Sequence, residues 1–336
     1  MEDRRTEDRD ERRDEVLRAL VEEHIRTGEP VSSKTVLEST GLPVSGATIR
    51  NELASLEREG FAVQPHTSAG RVPTARAYRY YVDHLSPVKL HHPAQRRISE
   101  FFSTMHLEVG RLLKATTELL TDLTHYPSVA IGPGATGEIV RATHLVQTGA
   151  KTALLVVVTG SGRVTQELCR LPEPMTTKEL ERAEEVLARV VVGKEISSSA
   201  EFELKTADVP TPVQSALGVV EQALRESAAR TADVYVGGTR QMATVWDNLA
   251  TVQRVLEVLE REAILLTMLG GSDGTSIRIG DELPTDDVDL AVVSTGYEIA
   301  AGEGRVGVIG PMRMDYRKVI SAVEGVSREL GDRMAD

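Results

Sequence analysis

Arg50 and Asn51 stand side by side in "VSGATIRNELASLEREG" (44–60), and they are the pair in this chain best suited to reading base edges. An Asn amide can bond adenine twice, and an Arg guanidinium can do the same to guanine or hold a phosphate. Their neighbours Gly46, Ala47 and Thr48 are small enough to allow close approach to a duplex. A second set lies in "PHTSAGR" (65–71), where His66, Thr67, Ser68 and Arg71 combine cationic and hydrogen-bonding groups. From Phe61 to Tyr81 there is no Asp or Glu, although the chain holds 51 carboxylates against 39 Lys and Arg. A segment lying along phosphates must avoid carboxylates, because each would oppose the backbone charge. Ser33 and Lys34, in "PVSSKTVLESTG", are placed to add phosphate contacts. Catalysis has no comparable candidate. No Ser/His/Asp set or carboxylate pair stands out, the eight histidines are scattered, and a single cysteine excludes a Cys-cluster metal site. The chemistry points to binding, with no enzyme activity, cofactor or metal expected.

The elements that must position these residues follow from periodicity. With Ile49, Leu53 and Leu56 as the core face of a helix, Ala47, Asn51, Ala54 and Arg58 fall opposite at 100° per residue. Thr48 and Arg50 fall on the flanks. Ser45 caps this helix and Gly60 ends it. A shorter helix precedes it, capped by Ser32 or Ser33 and stopped at Gly41. Before that, Val16, Leu17, Leu20, Val21 and Ile25 form one apolar stripe ending at Gly28. "FAVQP" and "RVPT" read as two short strands around the "HTSAG" turn, and "ARAYRYYVDHL" as a closing helix. Tyr78, Tyr80 and Tyr81 read as packing residues of that helix rather than as stacking platforms for bases.

Beyond the linker "SPVKLHHP", apolar residues from Ile98 to Leu123 recur in steps of four and three, with Thr116 the one polar position. This heptad-like seam predicts a long helix. Two roles fit it: a coiled-coil dimer contact, or a connector lying on the next domain. From 128 onward, strand-like runs ("SVAIG", "IVRATHLVQT", "TALLVVVT", "RVTQELCRL") precede a helix at "TTKELERAEEVLARVV". Residues 194–245 are less regular, with one helix at "PVQSALGVVEQALRES". Helix, strands and a last helix then return, so an antiparallel sheet carrying helices is expected. Gly132, Gly134 and Gly137 match a dinucleotide fingerprint, but β-branched residues follow where a helix must open, so a loop is expected. "GGSDGTS" (270–276) reads as a hairpin turn, and Cys169 as a buried, inert thiol.

At 336 residues the chain fits two or three domains. A net charge of −12 opposes indiscriminate adhesion to nucleic acid or membrane, so any DNA affinity must come from local placement. The first residues are charged throughout, unlike a signal peptide, and no apolar run approaches a membrane span. A cytoplasmic protein is expected.

The motifs "TGEPV", "ATIRNELA", "PHTSAGR" and "YRYYVD", followed late in the chain by "VYVGGT" and "GRVGVIGPMRMDY", resemble the HrcA family of heat-inducible transcription repressors. The likeness spans nearly the whole chain. It implies an α+β protein with an N-terminal winged helix-turn-helix domain (13–86); the charged tail before it (1–12) lies outside the likeness, and its mixed charges without apolar periodicity read as disorder. A linker and long helix (87–126) would follow, then a GAF-like domain (127–194 and 246–336) with an inserted dimerising segment (195–245). It further implies a homodimer that binds double-stranded DNA at an inverted repeat called CIRCE upstream of chaperone operons. Such a dimer would repress until heat shock, with the chaperonin as a modulator of its activity. Thr48, Arg50, Asn51 and Ala47 would face bases, His66, Thr67, Ser68 and Arg71 would position the wing, and Ser33 and Lys34 would touch phosphate. The alternative within regulators is a winged-helix repressor whose GAF-like half binds a metabolite.

Overall fold

In this computed structural model, the described residues are 2–66, 69–86, 90–105, 109–133, 138–160, 162–195, 204, 209–229, 232–246, 248–271, 274–285, 289–299 and 302–335. The first apolar stripe forms α1 (Glu2–Thr27), with Val16, Leu20 and Val21 fully buried. Helices α2 (Ser33–Thr40) and α3 (Gly46–Arg58) pack on it, followed by strands β1 (Ala62–Val63) and β2 (Val72–Pro73) and helix α4 (Ala75–Asp83). The two strands pair antiparallel, Val63 with Val72. Ser32, not Ser33, caps α2, its hydroxyl accepting from Thr35 N at 3.1 Å. Ser45 caps α3 in the same way through Thr48 N. The expected tail over 1–12 differs, since α1 begins at Glu2. Glu and Arg favour helix, and the helix is tied to α3 at Arg12, which bonds Glu52 at 2.7 Å.

The linker region carries two helices rather than one, α5 (His92–Thr104) and α6 (Val109–Thr124). The seam residues Ile98, Phe102, Leu112, Thr116 and Leu119 are buried within this same chain. Within the chain, α5 and α6 pack against α12, and α6 also against the sheet.

The remaining elements are β3 (Ser128–Ile131), β4 (Val140–Gly149), β5 (Thr152–Thr159), β6 (Val164–Arg170), α7 (Thr177–Val191), α8 (Thr211–Ala229), β7 (Val234–Gly237), α9 (Met242–Val245), α10 (Leu249–Leu259), α11 (Glu262–Leu269), β8 (Thr275–Ile279), β9 (Leu290–Ile299), β10 (Gly302–Pro311) and α12 (Tyr316–Ala335). They build an α+β body around an antiparallel sheet in the order β7-β3-β10-β9-β8. Alternate residues point to opposite faces of a strand. Thus Ala130, Val293, Val306 and Val308 join the core with α5, α6 and α12, while Val129, Ile131, Val292 and Ile309 join α10 and α11. Gly237, in "VYVGGT", sits so close to α6 that a Cβ would lie 2.5 Å from Thr117 Oγ1. Only glycine lets helix and strand approach there.

Strands β4-β5-β6 form a separate sheet, covered on one face by α7 and α8 around their own core. This lobe is inserted between β3 and β7, so the expected insertion at 195–245 needs correction. Val213, Leu217, Val220 and Leu224 of α8 share a core with Leu155, Val157 and Cys169. β7, by contrast, pairs with β3 in the body, Val236 against Val129. The inserted packing unit therefore runs from Val140 to Ala229. Two smaller readings also resolve. Gly134 and Gly137 lie outside the described residues, but strand β4 stands where a dinucleotide fold requires a helix. The 270–276 stretch, of which 272–273 lie outside the described residues, joins helix α11 to strand β8 and is not a hairpin. Cys169 is buried on β6, and burial pushes its thiol pKa up. Among the described residues no helix is long and apolar enough to cross a membrane.

Candidate nucleic-acid interface

Helix α3 turns Ile49, Leu53 and Leu56 inward, and it exposes Ala47, Arg50, Asn51 and Arg58. Thr48 is half-buried, its hydroxyl 2.9 Å from that of Ser45. Among the described residues neither Arg50 nor Asn51 has a hydrogen-bond or ion-pair partner. Two strong polar groups are therefore presented to solvent with their bonding capacity unused. The first turn of α3 carries no acidic residue, and the helix dipole adds positive potential at that end. Lys34 is exposed on α2, 3.7 Å from Glu38, and Ser33 is half-buried in the first turn of the same helix.

The hairpin is held by its own strand pairing and by Arg71. His66 is exposed, while Thr67 and Ser68 lie outside the described residues. Arg71 does not stand free for a phosphate. Its guanidinium bonds Glu57 of α3 through Nε at 3.0 Å and the terminal nitrogen at 2.9 Å. Its backbone forms an isolated bridge with Val31, both N–H···O distances being 2.8 Å. Gly70 makes that bridge possible, because a Cβ there would fall 2.3 Å from Val31 O.

Arg76 and Arg79 are likewise engaged. Arg76 donates to Glu59 O at 2.8 Å and lies 4.5 Å over the Phe61 ring. Arg79 bonds Glu282 from two nitrogens and Ile277 O at 2.5 Å, joining α4 to the body. All three arginines of the carboxylate-free segment thus find acceptors outside it. The counter-charges of Arg71 and Arg79 come from Glu57 of α3, from Glu282 of the body and from Asp83 at the end of α4. Tyr78 and Tyr81 are buried packing residues, with hydroxyls bonded to His24 and Glu22. The partners Glu57 and Glu282 were missed by the sequence reading. Glu57 carries a faint signal, as an acid on α3 shortly before a hairpin rich in arginine. Glu282, 203 positions from Arg79, carries none.

Comparison with known proteins places this architecture. The family model described as "HrcA protein C terminal domain" matches residues 110–320. The chain is similar to proteins named "Heat-inducible transcription repressor HrcA" from Acidothermus cellulolyticus (38% identical, 97% of this chain and 99% of the relative). A relative of the same name from Kocuria rhizophila is 36% identical over the same shares. A solved structure described as "a hypothetical protein at 2.2 A resolution" shares the fold, with a TM-score of 0.64 at 22% identity over 96% of this chain and 97% of that one. Identity of this extent over nearly the full length of both chains shows the family. This chain belongs to the HrcA family of heat-inducible transcription repressors.

Proposed function

We propose that the protein is a sequence-specific DNA-binding repressor of heat-shock chaperone operons, acting in the cytoplasm as a homodimer on the CIRCE inverted repeat. The observation that carries this reading is the exposed Arg50–Asn51 pair on α3, without a side-chain partner among the described residues, within a chain of a transcription-repressor family. The N-terminal unit acts as a winged helix. Helix α3 enters the major groove, Arg50 and Asn51 read base edges, and Ala47 and Thr48 allow close approach. Ser33 and Lys34 contact phosphate, and the turn containing His66, Thr67 and Ser68 lies along the backbone as the wing. Arg71 positions that wing through Glu57 instead of touching DNA itself. The body acts as a GAF-like domain that carries the DNA-binding unit, and heat shock releases the operator, with the chaperonin modulating activity.

Dimerisation falls to the inserted lobe. The face of β4-β5-β6 turned away from α7 and α8 carries a cross-strand row of Val146, Leu154 and Leu168, with Val156, Val158 and Val164 beside it. Val146 and Leu168 are 50% and 60% exposed. An exposed aliphatic ladder of this kind marks an interaction surface. A two-fold pair of recognition helices is what an inverted repeat requires. The test is a nuclease footprint of the purified protein across chaperone-operon promoters, at growth temperature and after heating. A protected inverted repeat that opens on heating is expected. Protection confined to unrelated promoters would sink the reading.

A further inference from the structure

The inserted lobe and the body meet at one buried side chain. The chain leaves the body after β3 and returns just before β7, and Arg163, from the turn between β5 and β6, bonds both crossings. One terminal nitrogen donates to Pro133 O at 2.8 Å, on the outgoing crossing. The other lies 2.6 Å from the Asp233 carboxylate, on the returning one. Asp233 is itself fixed to the sheet, its carbonyl accepting from Gly132 N at 2.8 Å. Arg163 is only 7% exposed, and Glu138 is buried beside the same small cavity. Among the described residues, lobe and body keep separate cores, and no helix or strand of the lobe packs extensively on an element of the body. Two units joined by two chain crossings, with little other packing between them among the described residues, would swing. A planar guanidinium bonded to both crossings restricts that swing.

We propose that the clasp of Arg163 with Asp233 and Pro133 fixes the angle between lobe and body, and so sets the half-site spacing the dimer accepts. The inference rests on the dimeric reading of function. If lobes pair across the two-fold axis, each lobe–body angle is carried through to the separation of the two α3 helices. Inserting one base pair moves a half-site by about 3.4 Å and turns it by about 35°. A rigid clasp makes that displacement costly, whereas a loose one absorbs it. Arg163 is thus a positioning residue for operator choice, far from the recognition helix in sequence.

The test measures binding of full-length protein to the footprinted inverted repeat, to the same repeat with one or two base pairs added to or removed from its spacer, and to a single half-site. Wild type should prefer its own spacing by at least about tenfold, part of the gain from linked half-sites. Arg163→Lys, which cannot bond both crossings in the same geometry, should flatten that preference to within about threefold while half-site binding stays unchanged. Asp233→Asn, milder because Asp233 is 37% exposed, should flatten it in part. A uniform loss on all spacers, or an unchanged preference in both variants, overturns the clasp, as does loss of dimerisation in both. A wild type indifferent to spacing overturns the dimeric reading itself, which separates the two failures.

Discussion

The imidazole Nδ1 of His24 lies 2.6 Å from the hydroxyl of Tyr78, at the seam where the DNA-binding unit meets the body. The Tyr78 ring is 6.2 Å from that of Tyr316 on α12, and Arg313 stands near enough to bear on both His24 and Tyr78. Burial, and then the Arg313 charge, hold the His24 pKa below its ordinary value of 6.5. The Asp289 charge acts on Tyr78, raising it, while His24 stays below its ordinary value. The folded state therefore binds the His24 proton less readily than the unfolded chain. The resulting stability is complete above pH 6.5 and is lost as pH falls through the depressed folded value. Urea unfolding measured between neutral and mildly acidic pH should show a decline that His24→Gln makes shallower. An equal decline in both proteins would assign it to the surface carboxylates.

Replacing Arg50 or Asn51 with Ala should each cost about 1–3 kcal/mol of operator binding. Both side chains are exposed and make no side-chain hydrogen bond or ion pair among the described residues, so thermal unfolding should be nearly unchanged. Loss of Asn51 should relax discrimination at one base position in each half-site. The check is a competition series with single-base operator variants. If Asn51→Ala keeps the wild-type ratio between operator and scrambled DNA, α3 is not the reading helix.

Glu57 and Arg71 should behave as a pair. Each alanine variant should loosen the hairpin, and a double-mutant cycle should return a coupling of about 0.5–1 kcal/mol, modest because both groups are partly solvated. The salt dependence of DNA binding should stay at the wild-type slope in Arg71→Ala, since a brace neutralises no phosphate. Glu57→Ala is the sharper arm. Were Arg71 merely waiting for DNA, freeing it would raise affinity and steepen the slope by about one unit.

Legibility in the sequence followed the range of the interactions. The exposed face of α3 was readable because period and capping are local: Ile49, Leu53 and Leu56 fix the core side, and Ser45 fixes the start. The hairpin and the closing helix were readable for the same reason. The partners of Arg71 and Arg79 were not legible, because a charge pattern says that partners are absent nearby, not that they are absent in space. The heptad-like seam held true residues of a core, but periodicity does not name the opposing surface. Here it is the chain's own α12 and sheet. The lobe boundary was lost because "TALLVVVT" is a continuous apolar run that reads as a strand whichever sheet it joins. Only the pairing of β7 with β3 separates lobe from body.

The outer face of the lobe gives the last prediction. On a two-fold interface a residue near the axis meets its own copy, so one added charge per chain becomes a like-charge pair in a dry contact. Leu168→Lys and Val146→Lys alter side chains that face solvent in the single chain, so the lobe should still fold. In sedimentation equilibrium both variants should shift toward monomer. Half-site DNA should be bound as before, while affinity for the full inverted repeat should fall about a hundredfold or more as the link between half-sites is lost. Leu249→Lys is the control: Leu249 is 72% exposed on α10 of the body, so the same charge there should leave the dimer intact. If Leu249→Lys yields monomers and Leu168→Lys does not, the bodies rather than the lobes hold the dimer together. The β4-β5-β6 face must then be assigned to another partner.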